Sequence, residues 1–164
     1  MKTNKRGVSS VVATVLIIMI VVAAIVILWT AVVPMVRNSI DKGSACFDAL
    51  SDITLVTDKG YTCCYTDDNG SCNGTISVQV AKAANEKISL AGIQVIVSKG
   101  GTTSSIILNS TDELPGNNEE KVYVKTDETN FANADAVNIA PIVTIGQTEE
   151  SCDPIGEVQL SPCT

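Results

Sequence analysis

Histidine is absent from the 164 residues. Without an imidazole the chain cannot build a Ser-His-Asp or Cys-His nucleophilic unit, and no Gly-x-Ser-x-Gly or phosphate-loop pattern supplies another route. The expectation is a protein that is not an enzyme and needs no cofactor. Arginine is nearly absent too, represented by Arg6 and Arg37 alone, so there is no basic stripe for a phosphate backbone and nucleic acid is not an expected partner. None of the six cysteines stands in a Cys-x-x-Cys pair, which disfavours a four-thiolate zinc site, and no metal is expected. The last absence is the most informative: from Gly7 to Val36 there is no charged side chain at all.

That charge-free run has the length of a membrane span. At about 1.5 Å per helical residue, residues 8 to 36 extend roughly 43 Å, more than the ~30 Å hydrocarbon thickness of a bilayer. Apart from Ser9, Ser10, Thr14 and Thr30 the run is aliphatic on every side, as in a helix surrounded by lipid or by other helices rather than one lying on a surface. A signal-peptide apolar core is normally only about 7 to 15 residues, so an ordinary cleaved signal peptide does not fit. Pro34 removes one backbone donor and is expected to bend the helix or mark the end of the embedded part. Beyond it, Met35, Ile40, Phe47, Leu50 and Ile53 recur among polar residues, which predicts an amphipathic continuation to about Ser51, weakened by Gly43.

All six cysteines (Cys46, Cys63, Cys64, Cys72, Cys152, Cys163) follow the apolar run, an even set that fits disulfides in an extracytoplasmic space. Lys2, Lys5 and Arg6 precede the run and favour a cytoplasmic N-terminus. The remainder is strongly acidic, which serves solubility and mutual repulsion. Cys152 with Cys163 is the preferred local pair, pinning the C-terminus in a loop that contains Pro154 and Pro162. Neighbours on a strand point to opposite faces, so Cys63 and Cys64 are expected to take different partners. Cys46–Cys64 with Cys63–Cys72 is one assignment, and the swapped partners are the other.

From Ile53 onward short β-branched runs alternate with turn residues: 53–57, 61–66, 75–82, 87–98, 104–109, 121–126, 137–145 and 155–160. Ile76, Val78 and Val80 alternate with Ser77, Gln79 and Ala81, the period-two pattern of a sheet with one buried face. The predicted class is α+β: a long N-terminal hydrophobic α-helix followed by an antiparallel β-sandwich or barrel head. The predicted organisation is a leader over 1–7, an assembly or transmembrane helix over 8–51, and an extracellular β-rich head over 52–164.

Lys5-Arg6-Gly7, followed at once by Val8-Ser9-Ser10-Val11-Val12-Ala13-Thr14-Val15-Leu16, resembles the class III signal peptide of archaeal type IV pilins. The resemblance covers about the first 35 residues. It implies recognition of Lys5 and Arg6 by a prepilin peptidase, cleavage between Gly7 and Val8, and a head that is immunoglobulin-like or pilin-like. It further implies an assembly ATPase, a membrane platform protein and a homopolymer formed through the N-terminal helix, for adhesion or surface attachment. Val12 stands where bacterial pilins usually carry a glutamate at the fifth mature position, so that residue's assembly role does not carry over. The Gly-containing start more usual in archaeal flagellin-like motility subunits is absent as well. The alternatives are a single-pass surface binding protein that keeps its leader and does not polymerise, or a flagellin-like motility filament subunit, ranked below the adhesive pilin.

The physical chemistry agrees with such processing. Each leader charge drawn into an apolar core costs about 2.5 to 3.5 kcal/mol, and the 17 Leu, Ile and Val side chains of residues 8–36 favour the bilayer by about 5 to 10 kcal/mol. Leaving the membrane therefore requires packing against sibling helices and an external motor. Ala13, Ile17, Ile20, Ala24, Leu28 and Ala31 follow one stripe at steps of three or four, placing small residues where backbones can approach. Trp29 lies toward the outer end of the span, suited to the interface or to bundle packing. Asn69, Asn73 and Asn109 each open an Asn-x-Ser/Thr glycan acceptor sequence. Asp67-Asp68-Asn69-Gly70 lacks the spacing and the closing glutamate of a calcium loop and is read as a hairpin turn.

Overall fold

The computed structural model describes residues 10–84 and 88–163, so Lys5, Arg6, Gly7 and Val8 lie outside the described residues. One long helix, α1 (Ser10–Asp52), precedes nine strands: β1 (Ile53–Val56), β2 (Cys63–Thr66), β3 (Cys72–Lys82), β4 (Leu90–Lys99), β5 (Thr102–Leu108), β6 (Glu119–Thr126), β7 (Ala136–Ile145), β8 (Thr148–Ser151) and β9 (Ile155–Gln159). The fold is α+β, with two antiparallel sheets. The chain divides into two compact units inside α1, the helix up to Asp41 and everything from Lys42 onward.

The first unit is a helix whose side chains carry almost no polarity from Val11 to Val36, before Arg37, Asn38, Ser39 and Asp41. α1 remains helical through Pro34 and through Gly43, despite the lost donor at the first and the propensity cost of about 1 kcal/mol at the second.

The second unit is built around β3 and β7. In one sheet β3 is the spine: β6 lies along one side, and β1 and β2 share the other, β1 opposite Gln79–Lys82 and β2 opposite residues 72–77. In the other sheet β5, β4 and β7 run side by side, and β8 and β9 share the far side of β7. The inner faces meet in one core, where Ile76, Val78 and Val80 of β3 join Ile93, Val95 and Val97 of β4 and Val137 and Ile139 of β7. A smaller cluster of Ala49, Val143 and Cys152, flanked by Ala45, Cys46, Ile88 and Ile145, packs the last turns of α1 onto the head.

All eight expected strands occur, with ends within three residues of those predicted. The ninth, β8, reads Thr-Glu-Glu-Ser and has no apolar alternation to announce it. It exists because Gly146, at φ +64°, turns the chain back in a two-residue loop that sets Thr148 opposite Ile145. A second difference concerns β3, whose middle is buried on both faces: Ser77 and Gln79 are inaccessible as well as the core residues. The Thr62 hydroxyl accepts from the Gln79 N–H at 3.2 Å, and the Gln79 amide donates to Glu120 at 2.8 Å, closing over that face.

The C-terminal residues pass from one sheet to the other. After β9 the Cys64 N–H donates to the Ser161 carbonyl at 2.9 Å, and the Cys163 N–H donates to the Cys64 carbonyl at 2.8 Å. This short parallel bridge covers the side of β2 that β3 leaves open.

Candidate assembly helix and head staples

Between Val11 and Val36 the side chains of α1 are exposed or nearly so, including Met19, Ile20 and Trp29, the last with 68% of its surface accessible. The two threonines inside this stretch bury their own polarity locally. Thr14 donates its hydroxyl to the Val11 carbonyl at 2.9 Å, and Thr30 donates to the carbonyls of Val26 and Ile27, both at 3.1 Å. Hydroxyls turned back on the helix present no donor of their own to the surroundings, as residence in lipid or in a dry bundle requires, and the indole N–H of Trp29 is the remaining side-chain donor of the stretch. The helix is long and apolar enough to cross a membrane. Ala13, Ile17, Ile20, Ala24, Leu28 and Ala31 all lie on it and are all exposed. Five steps span 18 residues, which is five turns at 3.6 residues each, so the stripe stays on one face.

Three disulfides hold the head: Cys46–Cys152, Cys63–Cys163 and Cys64–Cys72. The vicinal cysteines take different partners, as alternation on β2 requires, and Cys64–Cys72 belongs to the swapped assignment. The expected Cys152–Cys163 pair does not form. β9 lies between them as an extended strand, and five residues at about 3.3 Å each carry position 163 well beyond the ~7 Å Cα limit of a disulfide. Cys46 therefore meets Cys152 rather than either member of the vicinal pair, because the last turns of α1 dock where β8 ends.

The three acceptor asparagines are all exposed. Asn69 sits at the tip of the turn between β2 and β3, where the Asp67 carboxylate accepts from the main-chain N–H groups of Asn69 and Ser71 at 3.0 Å each. The turn is thus closed by its own aspartate, as the hairpin reading expects. The Asn73 amide oxygen accepts from Thr75 N–H at 2.9 Å. Asn109 caps the short 3-10 helix Ser110–Asp112, its side chain accepting from Thr111 N–H while Asp112 accepts from the Asn109 N–H.

One feature escaped the sequence reading. A cavity of about 270 Å³ opens between the junction of α1 with β1, the end of β3 and the start of β6, lined by Asp52, Lys82, Asn118, Glu119 and Glu120 among others. Asp52 and Lys82 are each more than nine-tenths buried, and Asp52 Oδ2 has no hydrogen-bond partner. No sequence motif marks this group, because its members come from three elements whose meeting depends on strand register.

No family model, curated protein or solved structure matches the chain. The architecture itself, a long exposed apolar helix followed by a disulfide-bonded antiparallel β head, is pilin-like. The helix suits membrane targeting, and three disulfides with no free cysteine suit an extracellular head.

Proposed function

We propose that this chain is the structural subunit of an extracellular type IV pilus-like filament, trimmed after Gly7 by a prepilin peptidase and polymerised through α1, with the heads facing outward for attachment. The observation that carries this reading is the long, charge-free run of exposed side chains on a head that is otherwise well packed. A contiguous exposed apolar surface of this extent marks a site of membrane or protein contact. Lipid covers it before assembly, and copies of the same helix cover it afterward. Cleavage between Gly7 and Val8 removes Lys5 and Arg6, whose charges would otherwise enter the apolar interior. The assembly ATPase and membrane platform implied by the leader supply the work of extraction.

N-terminal sequencing of extracellular material, with electron microscopy of cells that have or lack the gene, tests this. The expected result is a Val8 terminus in surface fibres that vanish with the gene. A cell-bound form still beginning at Met1 and never found in polymers would favour a membrane-anchored surface protein instead.

A further inference from the structure

We propose that Lys82 and Asn117 form an intramolecular amide cross-link, with Asp52 as the proton acceptor. Lys82 ends β3 and Asn117 lies in the turn that precedes β6. The Lys82 ammonium, on a residue only 7% exposed, donates to the side-chain carbonyl of Asn117. Nucleophile and electrophile are thus already in contact, and intramolecular proximity of this kind replaces an encounter that would otherwise be rare. The turn is fixed at both ends: Glu119 N–H donates to the Gly116 carbonyl at 3.1 Å, and Gly116 N–H donates to the Glu119 carboxylate at 2.6 Å.

The reaction needs a base, and the surrounding carboxylates differ in their freedom to act as one. Glu119 is engaged by Gly116, and Glu120 accepts from both Lys59 and Gln79. Asp52 lines the same cavity with a buried oxygen that nothing satisfies. A buried, unpaired acceptor calls for a physical account, and a proton-transfer role supplies one. Ile53 is directly opposite Lys82 in the register, and the Asp52 carbonyl accepts from Ala83 N–H, so Asp52 is held beside the end of β3. A cation site is the poorer reading of this cavity, since no group of three metal-ligating side chains gathers among the described residues.

Bond by bond, the Lys82 ammonium gives one proton to Asp52 and the free amine attacks the Asn117 side-chain carbon. The Nζ–Cγ bond forms, and the bond from Cγ to Nδ2 breaks after Asp52 returns its proton to Nδ2. The amine nitrogen loses its second proton as the amide forms, and ammonia departs with it as ammonium. No oxidant or reductant enters. Lys125 with Asp112 and Lys121 with Glu113, the close lysine pairs between this loop and β6, lack the conditions: each lysine's hydrogen bond holds its partner's carboxyl below the usual range, and an ionised carboxylate is a poor electrophile for an amine.

Peptide mapping of the reduced, full-length protein tests the proposal. The expected finding is a branched peptide joining the segments around Lys82 and Asn117, no cleavage by trypsin at Lys82, and a loss of about 17 Da relative to the sequence. Lys82→Arg and Asn117→Ala each restore the missing mass, and Asp52→Asn leaves most of the folded protein unlinked. Asn69-Gly70 and Asn73-Gly74 can also lose ammonia, so location decides. A loss confined to Asn69 or Asn73, or trypsin cleavage at Lys82 in the wild-type protein, overturns the cross-link. An Asp52→Asn protein linked as fully as wild type overturns the role given to Asp52.

Discussion

Cys46, in the last turns of α1, is bonded to Cys152, 106 residues later, with their Cα atoms 5.4 Å apart. The bond fixes the base of the helix to the sheet formed by β4, β5, β7, β8 and β9, while β1 continues the same chain directly into the other sheet. The helix end is therefore attached to both layers of the head, once through a covalent bridge and once through the main chain.

The three bridges should differ in worth according to the loop each closes. Chain entropy assigns about 5 kcal/mol to a separation near 106 residues and about 2.5 kcal/mol to a separation of 8. Urea unfolding of the paired serine variants is expected to show the larger loss for Cys46 with Cys152 and the smaller for Cys64 with Cys72. Equal losses would mean that loop closure is not the governing factor.

Ala23 and Ala24 separate helix packing from simple hydrophobicity. Both are exposed, but only Ala24 lies on the stripe of small residues. Ala24→Leu is expected to lower fibre yield by blocking backbone approach, while Ala23→Leu, a similar gain in greasiness about 100° around the helix, leaves the yield unchanged. Fibre counts by electron microscopy decide, and equal yields from the two would remove the stripe as a contact.

Long-range geometry marks the limit of what the residues alone disclose. The helix was legible from the charge-free run, and eight strands from β-branched segments between turns, because both signals are local. β8 was hidden, since Thr148–Ser151 is specified by the Gly146 turn and not by its own side chains. The burial of Gln79 was hidden too, because it depends on Thr62 and Glu120 from elsewhere in the chain. Cys152 and Cys163 are close in sequence, and only the path of β9 shows that they are distant in space. The Asp52, Lys82 and Asn117 group depends on the same kind of register information.

Stability should be flat across neutral pH and fall on both sides, because the clasp between residues 112–113 and β6 titrates at both extremes. The Lys125 hydrogen bond holds Asp112 below its ordinary 3.8, and the Lys121 hydrogen bond holds Glu113 below its ordinary 4.5. Their contribution is present above those ordinary values and is lost as pH falls through the lowered ones. Tyr123 is pushed up to about 12, first by burial and then by the charges of Glu119, Asp112 and Glu113. Its contribution is complete below pH 10 and is lost as pH rises toward 12. Urea midpoints measured against pH are expected to show a shallower alkaline limb in Tyr123→Phe, the Lys59–Glu120 pair keeping part of it, and a weakened acid limb in Lys125→Met.

Two glycines should respond oppositely to alanine. At Gly74, with φ +93°, an added methyl would stand 2.6 Å from the Glu128 Cα and 3.0 Å from the Asp127 carbonyl oxygen. Gly74→Ala is expected to destabilise the head by more than about 1 kcal/mol, since neither backbone group can move aside cheaply. Gly43 lies inside α1 with open space around it, and Gly43→Ala should stabilise by up to about 1 kcal/mol. Thermal unfolding of the two variants checks both signs.

The C-terminal residues that bridge to Cys64 have a consequence for life in a crowd. An unpaired strand margin is a template for any neighbouring chain, and identical domains held close together present that template to one another continually. By lying along β2 and fastening through Cys163, the tail removes one such margin before neighbouring copies can compete for it. Losing the tail should therefore do more harm where molecules stand shoulder to shoulder than in dilute solution, turning orderly neighbours into tangled ones.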